Sequence, residues 1–324
     1  GDGARLPRPR RAHPWPAFLL RRVGGLLLSF FVLVVVTFLI IPLIPGDPAQ
    51  VAAGDNASPA EVEAMRQQLG LDLPLFAQFA DYVGGVLSLD LGNSFINDLP
   101  VTTIVLTRLP YTAAIAFLAI AIVLVVSVPL GMSVAVATRG GRRRWLDGLF
   151  NFGSSVLYSV PQYVMATLLV FVFAVSLRIL PAAGAATFSS LVLPTAALTI
   201  GPICVIARIV RRETSVVLEK DYLRTARGWR LSTLRTHARY VLPNLVTTTL
   251  TLSGLILAGQ LGGAVIIETV FGWPGLGLGI VNAITQRDYP VIRGIILVLG
   301  LLATLIITLV DVILAAIDPR NLES

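Results

Sequence analysis

"TARGWRLSTLRTHARYVLPN", residues 225–244, is a basic, half-apolar stretch set between two of the most hydrophobic runs of the chain. In and just before it, Leu218, Tyr222, Thr225 and Trp229, then Leu231, Leu234, Ala238 and Val241, recur at spacings of two to four. Those are helical intervals with an apolar stripe. Arg212, Lys220, Arg224, Arg227, Arg230, Arg235 and Arg239 occupy the opposite faces. Gly228 sits inside the pattern, so two short helices meeting there fit as well as one rod. Pro243 marks entry to the next apolar run, where a first turn tolerates its missing N–H. Periodicity alone leaves three readings open: a helix lying on the membrane surface, a solvated basic loop, or a helix that docks in a partner's groove.

Working outward, 55% of the 324 residues are hydrophobic and 13% are charged, against about 25% charged in soluble domains. The composition is that of an integral membrane protein. A helix needs about 20 apolar residues to cross the hydrocarbon, and six segments qualify: 18–41, 111–137, 155–176, 188–208, 246–267 and 291–317. The expected fold is therefore an all-α polytopic membrane protein with six core transmembrane helices. Arg21 and Arg22 precede an apolar run too long for a secretory signal, with no small-residue cleavage site after it, so 18–41 is read as a retained anchor. The fourth span carries Pro194, Gly201 and Pro202, which favour a kink.

Charge orients the spans. Twenty of the 25 basic residues fall in the N-terminal stretch up to Arg22, the loop 138–148, the stretch 208–245 and the C-terminus. The positive-inside rule makes that side cytoplasmic, with both termini inside. Residues 1–17 form a Pro- and Arg-rich cytoplasmic tail expected to be disordered, and 318–324 a short cytoplasmic end. The net charge of +7 is thus read as topology and contact with anionic headgroups, and nucleic-acid binding is disfavoured because the charge is spread over loops.

The opposite side is acidic. Residues 42–110 hold Asp47, Asp55, Glu61, Glu63, Asp72, Asp81, Asp90 and Asp98 against Arg66 and Arg108. Within them Ser58 is placed as an N-cap, Pro59 suits a first turn, and Gly70 is placed to stop the helix. A second helical piece, PLFAQFADYVGGVL, follows at 74–87. This predicts a helical extracytoplasmic subdomain between the first two spans. The remaining core, 111–317, is interrupted by the cytoplasmic loop 209–245.

No catalytic motif accompanies this organisation. The sequence has no phosphate-binding G-x-x-x-x-G-K-[ST], no HExxH, no CxxC and no G-x-S-x-G. Cys204 stands alone in an apolar run, and His13 and His237 have no evident pairing. The chain is read as a non-enzyme that binds no cofactor or metal itself, so any chemical energy must come from elsewhere.

Several stretches together resemble the ABC importer permeases of the dipeptide, oligopeptide and nickel branch. They include IPGDP (44–48), QLGLDLPLFAQF (68–79), LSLDLGNSF (87–95), YSVPQYV (158–164), DYLRTAR (221–227), ETVFGWPGLG (268–277), RDYP (287–290) and IDPR (317–320). In the family's coupling motif a charged residue and two small residues are followed, after three positions, by glycine. Nine positions later comes an apolar-x-Leu-Pro close. Arg224, Thr225 and Ala226 match the opening and Tyr240 to Pro243 the close, while Arg230 stands where the motif has glycine and Gly228 lies two residues early.

The resemblance implies a type I importer permease that forms half of a translocation pathway for peptides, with nickel chelates, haem or other small solutes as alternative cargoes. It implies a homologous second permease subunit, cytoplasmic ATP-binding subunits carrying ATP and Mg, and an extracytoplasmic binding protein, often a lipoprotein, around this chain in a bacterial cytoplasmic membrane. Leu218, Tyr222, Arg224, Thr225, Ala226, Arg227, Gly228, Trp229, Arg230 and Leu231 become the candidate ATPase-coupling residues, and Glu268, Phe271, Pro274 and Asp311 the candidate pathway or gate residues. Arg293 is read as reaching toward outer headgroups. A gradient-driven secondary transporter is the rival, but only Asp311 clearly sits inside an apolar span and no internal repeat is visible.

Overall fold

A computed structural model describes residues 14–43, 46–54, 56–220 and 242–317, except for the side chains at 14, 243, 244, 246–253, 255, 257, 258 and 261. Among the described residues the regular structure is helical, apart from one isolated bridge between Asn93 and Pro100. Helix α1 spans Pro14–Leu43. Three short helices follow, α2 (Pro48–Ala53), α3 (Pro59–Gln68) and α4 (Leu75–Leu87). Next come α5 (Val101–Ala137), α6 (Arg144–Ser159) and α7 (Gln162–Leu169), the last running into a π-helical turn at Val170–Ser176. The chain continues through α8 (Val192–Glu219), α9 (Leu242–Val270), α10 (Leu276–Gln286) and α11 (Tyr289–Ile317).

The expected number of spans is corrected. Among the described residues four helices are long and apolar enough to cross a membrane, Trp15–Leu43, Val101–Ala137, Phe188–Glu219 and Tyr289–Ala316, with a fifth if a bent pair counts as one span. That pair, Arg144–Ser159 and Gln162–Ser176, is bent by 95°. The run 155–176, expected to be one span, is broken: at Val160–Pro161 the backbone is extended and Pro161 supplies no N–H to continue the ladder. Hydropathy registers the apolar run and is blind to the corner. Most of the 246–267 stretch has side chains outside the described set.

The corner leaves α6 with an unusual orientation. Its polar side faces α8, where Asp147 pairs with Arg211 and Arg208 donates to Ser155 Oγ at 3.3 Å. Its apolar stripe, Trp145, Leu149, Phe152 and Val156, is exposed. A helix that turns its charges inward and its aromatic side chains outward is built for an apolar surrounding. Exposed Leu20, Leu27, Leu28 and Phe31 on α1 agree with that. The chain is a multi-pass membrane protein.

The insertion between α1 and α5 is organised by its caps. Ser58 and Glu61 form a reciprocal capping box, with Pro59 in the first turn, and Gly70 adopts a φ of 66° just past the end of α3. Arg66 on α3 reaches back to Asp47, which caps α2. Helix α4 presents Phe79, Tyr82, Val83 and Val86, one helical face, to Phe30, Leu33 and Val34 of α1 and to Leu297 of α11. Tyr82 Oη and Thr37 Oγ1 lie 2.9 Å apart, and Phe38 meets Phe79 edge-on.

Helices α5 and α8 make the most extensive contact in the molecule. Gly131 allows it: a Cβ there would collide with the Ala207 carbonyl oxygen, Val210 Cβ and the Arg211 amide nitrogen. Gly148 on α6 has nothing within 4 Å of an added Cβ. Gly131→Ala is therefore expected to destabilise the purified protein by about 1–3 kcal/mol through overpacking. Gly148→Ala is expected to be neutral or to add up to about 1 kcal/mol of helix propensity. Thermal unfolding of both variants in detergent checks the contrast, and equal midpoints would contradict the close crossing.

Candidate functional site

The α9–α10 junction assembles around one carboxylate. Glu268, in the last turn of α9, has no accessible surface. Its Oε1 accepts from Thr112 Oγ1 on α5 at 2.6 Å, and its Oε2 accepts from the backbone N–H groups of Gly277 at 2.6 Å and Leu278 at 3.1 Å. Those amides belong to the first turn of α10, where unpaired donors and the positive helix end favour an anion. Thr112 Oγ1 in turn accepts from Leu276 N at 2.8 Å. The Arg108 guanidinium reaches the Gly275 carbonyl oxygen at 3.5 Å, adding a cation to the same corner.

The intervening loop is folded tightly over this carboxylate. Gly272 has a φ of 56°, and Trp273 N donates to the Glu268 carbonyl at 2.8 Å. Trp273 is buried, its Nε1 donating to the Tyr111 carbonyl oxygen at 3.1 Å and its ring meeting Tyr111 edge-on. A Cβ on Gly277 would lie 2.5 Å from Val265 Cα and 2.8 Å from Glu268 Oε2. Glycine is required there because the carboxylate and the backbone of α9 occupy the space. Phe271 is buried against Ala166, Leu193 and Leu198, and its carbonyl accepts from Gly184 N at 2.9 Å. Pro274 is half-buried between these anchors.

A second buried carboxylate holds the other end of α10. Asp288 accepts from Ser94 Oγ at 2.5 Å and from Phe95 N at 3.1 Å, tying the 94–99 turn to the start of α11. Arg287, at a φ of 57°, makes the bend that presents it. Helix α10 is thus pinned at both termini by acids whose oxygens are hydrogen-bonded to protein donors. Asp311 belongs elsewhere, in an ion pair of 2.7 Å with Arg22 of α1. The four residues singled out as gate candidates therefore divide: Glu268, Phe271 and Pro274 share one junction, and Asp311 joins α1 to α11.

Of the coupling candidates only Leu218 lies within the described residues. It is buried, in one core cluster with Val123, Ile206, Val210, Val217 and Leu245, and its carbonyl accepts from Arg139 Nη2 at 3.4 Å. Tyr222, Arg224, Thr225, Ala226, Arg227, Gly228, Trp229, Arg230 and Leu231 lie outside the described residues. Leu218 and Leu245 share that cluster, so the two ends of the intervening segment leave and re-enter the bundle at the same place.

A cavity of about 330 Å³ opens at the inner side of the 95° corner. Tyr158, Pro161, Met165, Gly201 and Ile256 contribute to its wall, and Gln162 Nε2 donates to Gln260 Oε1 across it at 3.3 Å. Neither glutamine, nor Thr112, Ser94 or Asp288, was singled out from the sequence. A clue existed for the glutamines, since each is a carboxamide within an apolar run, and for Asp288 within RDYP. Ser94 has the same kind of clue within LSLDLGNSF, whereas Thr112 carries none, because hydroxyl side chains are common in membrane helices. Among the described residues no group of three His, Cys, Asp or Glu could hold a metal ion.

Thr112 is the test of the junction. Thr112→Val keeps the shape but removes a donor to a buried carboxylate and the acceptor for Leu276 N. It should cost about 2–4 kcal/mol in unfolding free energy, whereas Thr112→Ser should retain most of it. Thermal midpoints of the two variants in one detergent provide the comparison, and a stable Val variant would contradict the bonding described.

Comparison with known proteins adds an independent line. Residues 127–323 match the family model described as binding-protein-dependent transport system inner membrane component, and residues 16–116 match the model for its N-terminal region. A peptide transport system permease protein of Brucella abortus strain 2308 is 37% identical over 312 residues, covering 94% of this chain and 98% of the relative. The glutathione transport system permease protein GsiC of Escherichia coli K12 is 35% identical over 302 residues, covering 93% and 97%. Among solved structures, an inward-facing form of the MetNI methionine ABC transporter superposes with a TM-score of 0.54 at 19% identity, over 66% of this chain and 96% of that one, a likeness of fold. Family models that cover most of the chain, and relatives more than a third identical over nearly all of it, show what it is: the chain belongs to the binding-protein-dependent transport system inner membrane components, the non-catalytic permease subunits of ABC importers.

Proposed function

We propose that the chain forms half of the translocation pathway of an ATP-driven peptide importer in a bacterial cytoplasmic membrane. Its termini and the 209–245 loop face the cytoplasm, and the 42–110 insertion faces outward. It works with a homologous second permease, cytoplasmic ATP-binding subunits that carry ATP and Mg, and an extracytoplasmic binding protein that delivers cargo. Relatives more than a third identical over nearly the whole chain carry names that refer to peptide and glutathione transport. The observation that carries the reading in the geometry is the carboxamide pair Gln162 and Gln260 in an otherwise largely apolar cavity at the helix corner. Side-chain amides pair with the N–H and C=O groups of a peptide backbone irrespective of its side chains. That suits a pathway that passes peptides of varied sequence.

Coupling runs through the segment that leaves and re-enters at Leu218 and Leu245. Tyr222, Arg224, Thr225, Ala226, Arg227, Gly228, Trp229, Arg230 and Leu231 form the handle on which the ATPase acts. Because Leu218 is a core residue between α5, α8 and α9, displacement of the handle is delivered to all three helices. Glu268, Phe271 and Pro274 stiffen the junction at the far end of α9, so motion at the handle reaches it as movement of a rigid body. Asp311, held by Arg22, keeps α1 moving with α11. Alternating access then needs only two packings whose balance ATP and loaded binding protein shift in turn.

Two measurements test this. Trp229→Asp is expected to lower peptide uptake at least about tenfold in reconstituted importer through loss of one aromatic docking residue, with the permease still folded; retained uptake would overturn the assignment of the handle. Cargo is checked separately, by uptake with the cognate binding protein loaded with di- to pentapeptides, nickel chelate or haem. Transport confined to the non-peptide cargoes would overturn the peptide reading.

A further inference from the structure

A second, larger cavity, about 530 Å³, lies where the insertion packs on the ends of α1 and α11. That is within the range of small-ligand sites. Phe38, Ile41 and Pro42 from the last turns of α1 and Pro290 and Arg293 from the first turns of α11 form one side. Gln78, Asp81, Tyr82 and Asp90 from the insertion contribute to the other. Helices α1 and α11 both have membrane-spanning length, so the cavity sits where hydrocarbon gives way to headgroups.

Arg293 is the cation of this cavity. Its guanidinium stacks over the Tyr82 ring at 4.8 Å, and its Nε is sealed from solvent with no hydrogen-bond acceptor among the described residues. No carboxylate among those residues pairs with it. One turn earlier on the same face, Tyr289 buries a hydroxyl that also lacks a partner. An arginine at a helix end normally reaches past the membrane surface into water. Here α4 covers that route, and a guanidinium left without an acid beside an open cavity is costly. An acid supplied by a ligand relieves that cost, and a planar guanidinium suits phosphate.

The other charges narrow the ligand. Asp81 and Asp90 line the same space, which disfavours a purely anionic headgroup and suits a zwitterion with a hydrogen-bonding ammonium. Phe38, Ile41 and Leu91 give the cavity an apolar floor, and the same end of α1 exposes Leu39 and Leu43, apolar surface suited to acyl chains. We infer that this cavity binds the headgroup of a phosphatidylethanolamine, its phosphate on Arg293 and its ammonium toward Asp81 and Asp90. The lipid would join the insertion to the bundle, a role distinct from that of the peptide pathway and independent of the cargo assigned above.

The test uses the full chain in nanodiscs of equal parts phosphatidylethanolamine, phosphatidylcholine and phosphatidylglycerol, followed by mild detergent extraction and mass spectrometry of the retained lipid. Wild-type protein is expected to retain phosphatidylethanolamine in preference to the other two. Arg293→Gln should reduce that retention about tenfold or more, the loss of one charged hydrogen-bonding partner, while Arg293→Lys keeps part of it. The double change Asp81→Asn and Asp90→Asn should shift preference toward phosphatidylglycerol. If Arg293→Gln does not fold, the Lys and double-Asn variants still decide. Equal retention of all three lipids by wild type, no change of preference in the double variant, or displacement of the lipid by soluble O-phosphoethanolamine at equal concentration would overturn the proposal.

Discussion

A carboxyl group with no accessible surface is costly in a membrane protein unless donors are aimed at its oxygens. Glu268 meets that condition through Thr112 of α5 and the first-turn amides of α10. The consecutive helices α9 and α10 are thereby registered against the distant α5 at a single point. The glycines at 275 and 277 exist because the acid fills the space their side chains would need. Trp273 closes the loop by donating to Tyr111, and Phe271 carries the constraint on to the 184 region. Asp288 repeats the arrangement at the other end of α10, so that the short helix is fixed between two anchored termini. The arrangement is one of bracing: both acids are occupied, and what they secure is a shape.

The corner between α6 and α7 is built differently from that braced junction. The corner between α6 and α7 places a cavity beside Pro161 and Pro202, where backbone ladders are already interrupted. Helix α6 is gripped by α8 through Asp147 and Arg211, while its exposed face is apolar. Leu218 and Leu245 meet in one core cluster shared by α5, α8 and α9.

Part of this was legible beforehand because hydropathy and charge are local. The apolar runs, the basic and acidic sides, the cap at Ser58 and the stop at Gly70 each depend on a few neighbouring residues and the surrounding solvent. The grouping of Glu268, Phe271 and Pro274 followed from their closeness in one motif. Asp311 looked equivalent to Glu268 as an acid in or near an apolar run, yet its partner is Arg22, almost the whole chain away. The roles of Thr112 and Ser94 were hidden for the same reason: each acts through contacts with residues more than 150 positions distant.

The sequence by itself determined that this is a helical membrane protein with a basic segment before Pro243 and with motifs of a permease, since burial in lipid and helix capping are encoded residue by residue. Tertiary structure decided how many of the described apolar helices have spanning form, because a hydropathy window averages over the 95° corner at Val160–Pro161, and the angle between the two helices is not written in the apolar run. It also decided that the acid of ETVFGWPGLG braces a helix terminus, since that depends on Thr112 and the amides of α10 converging on one pair of oxygens.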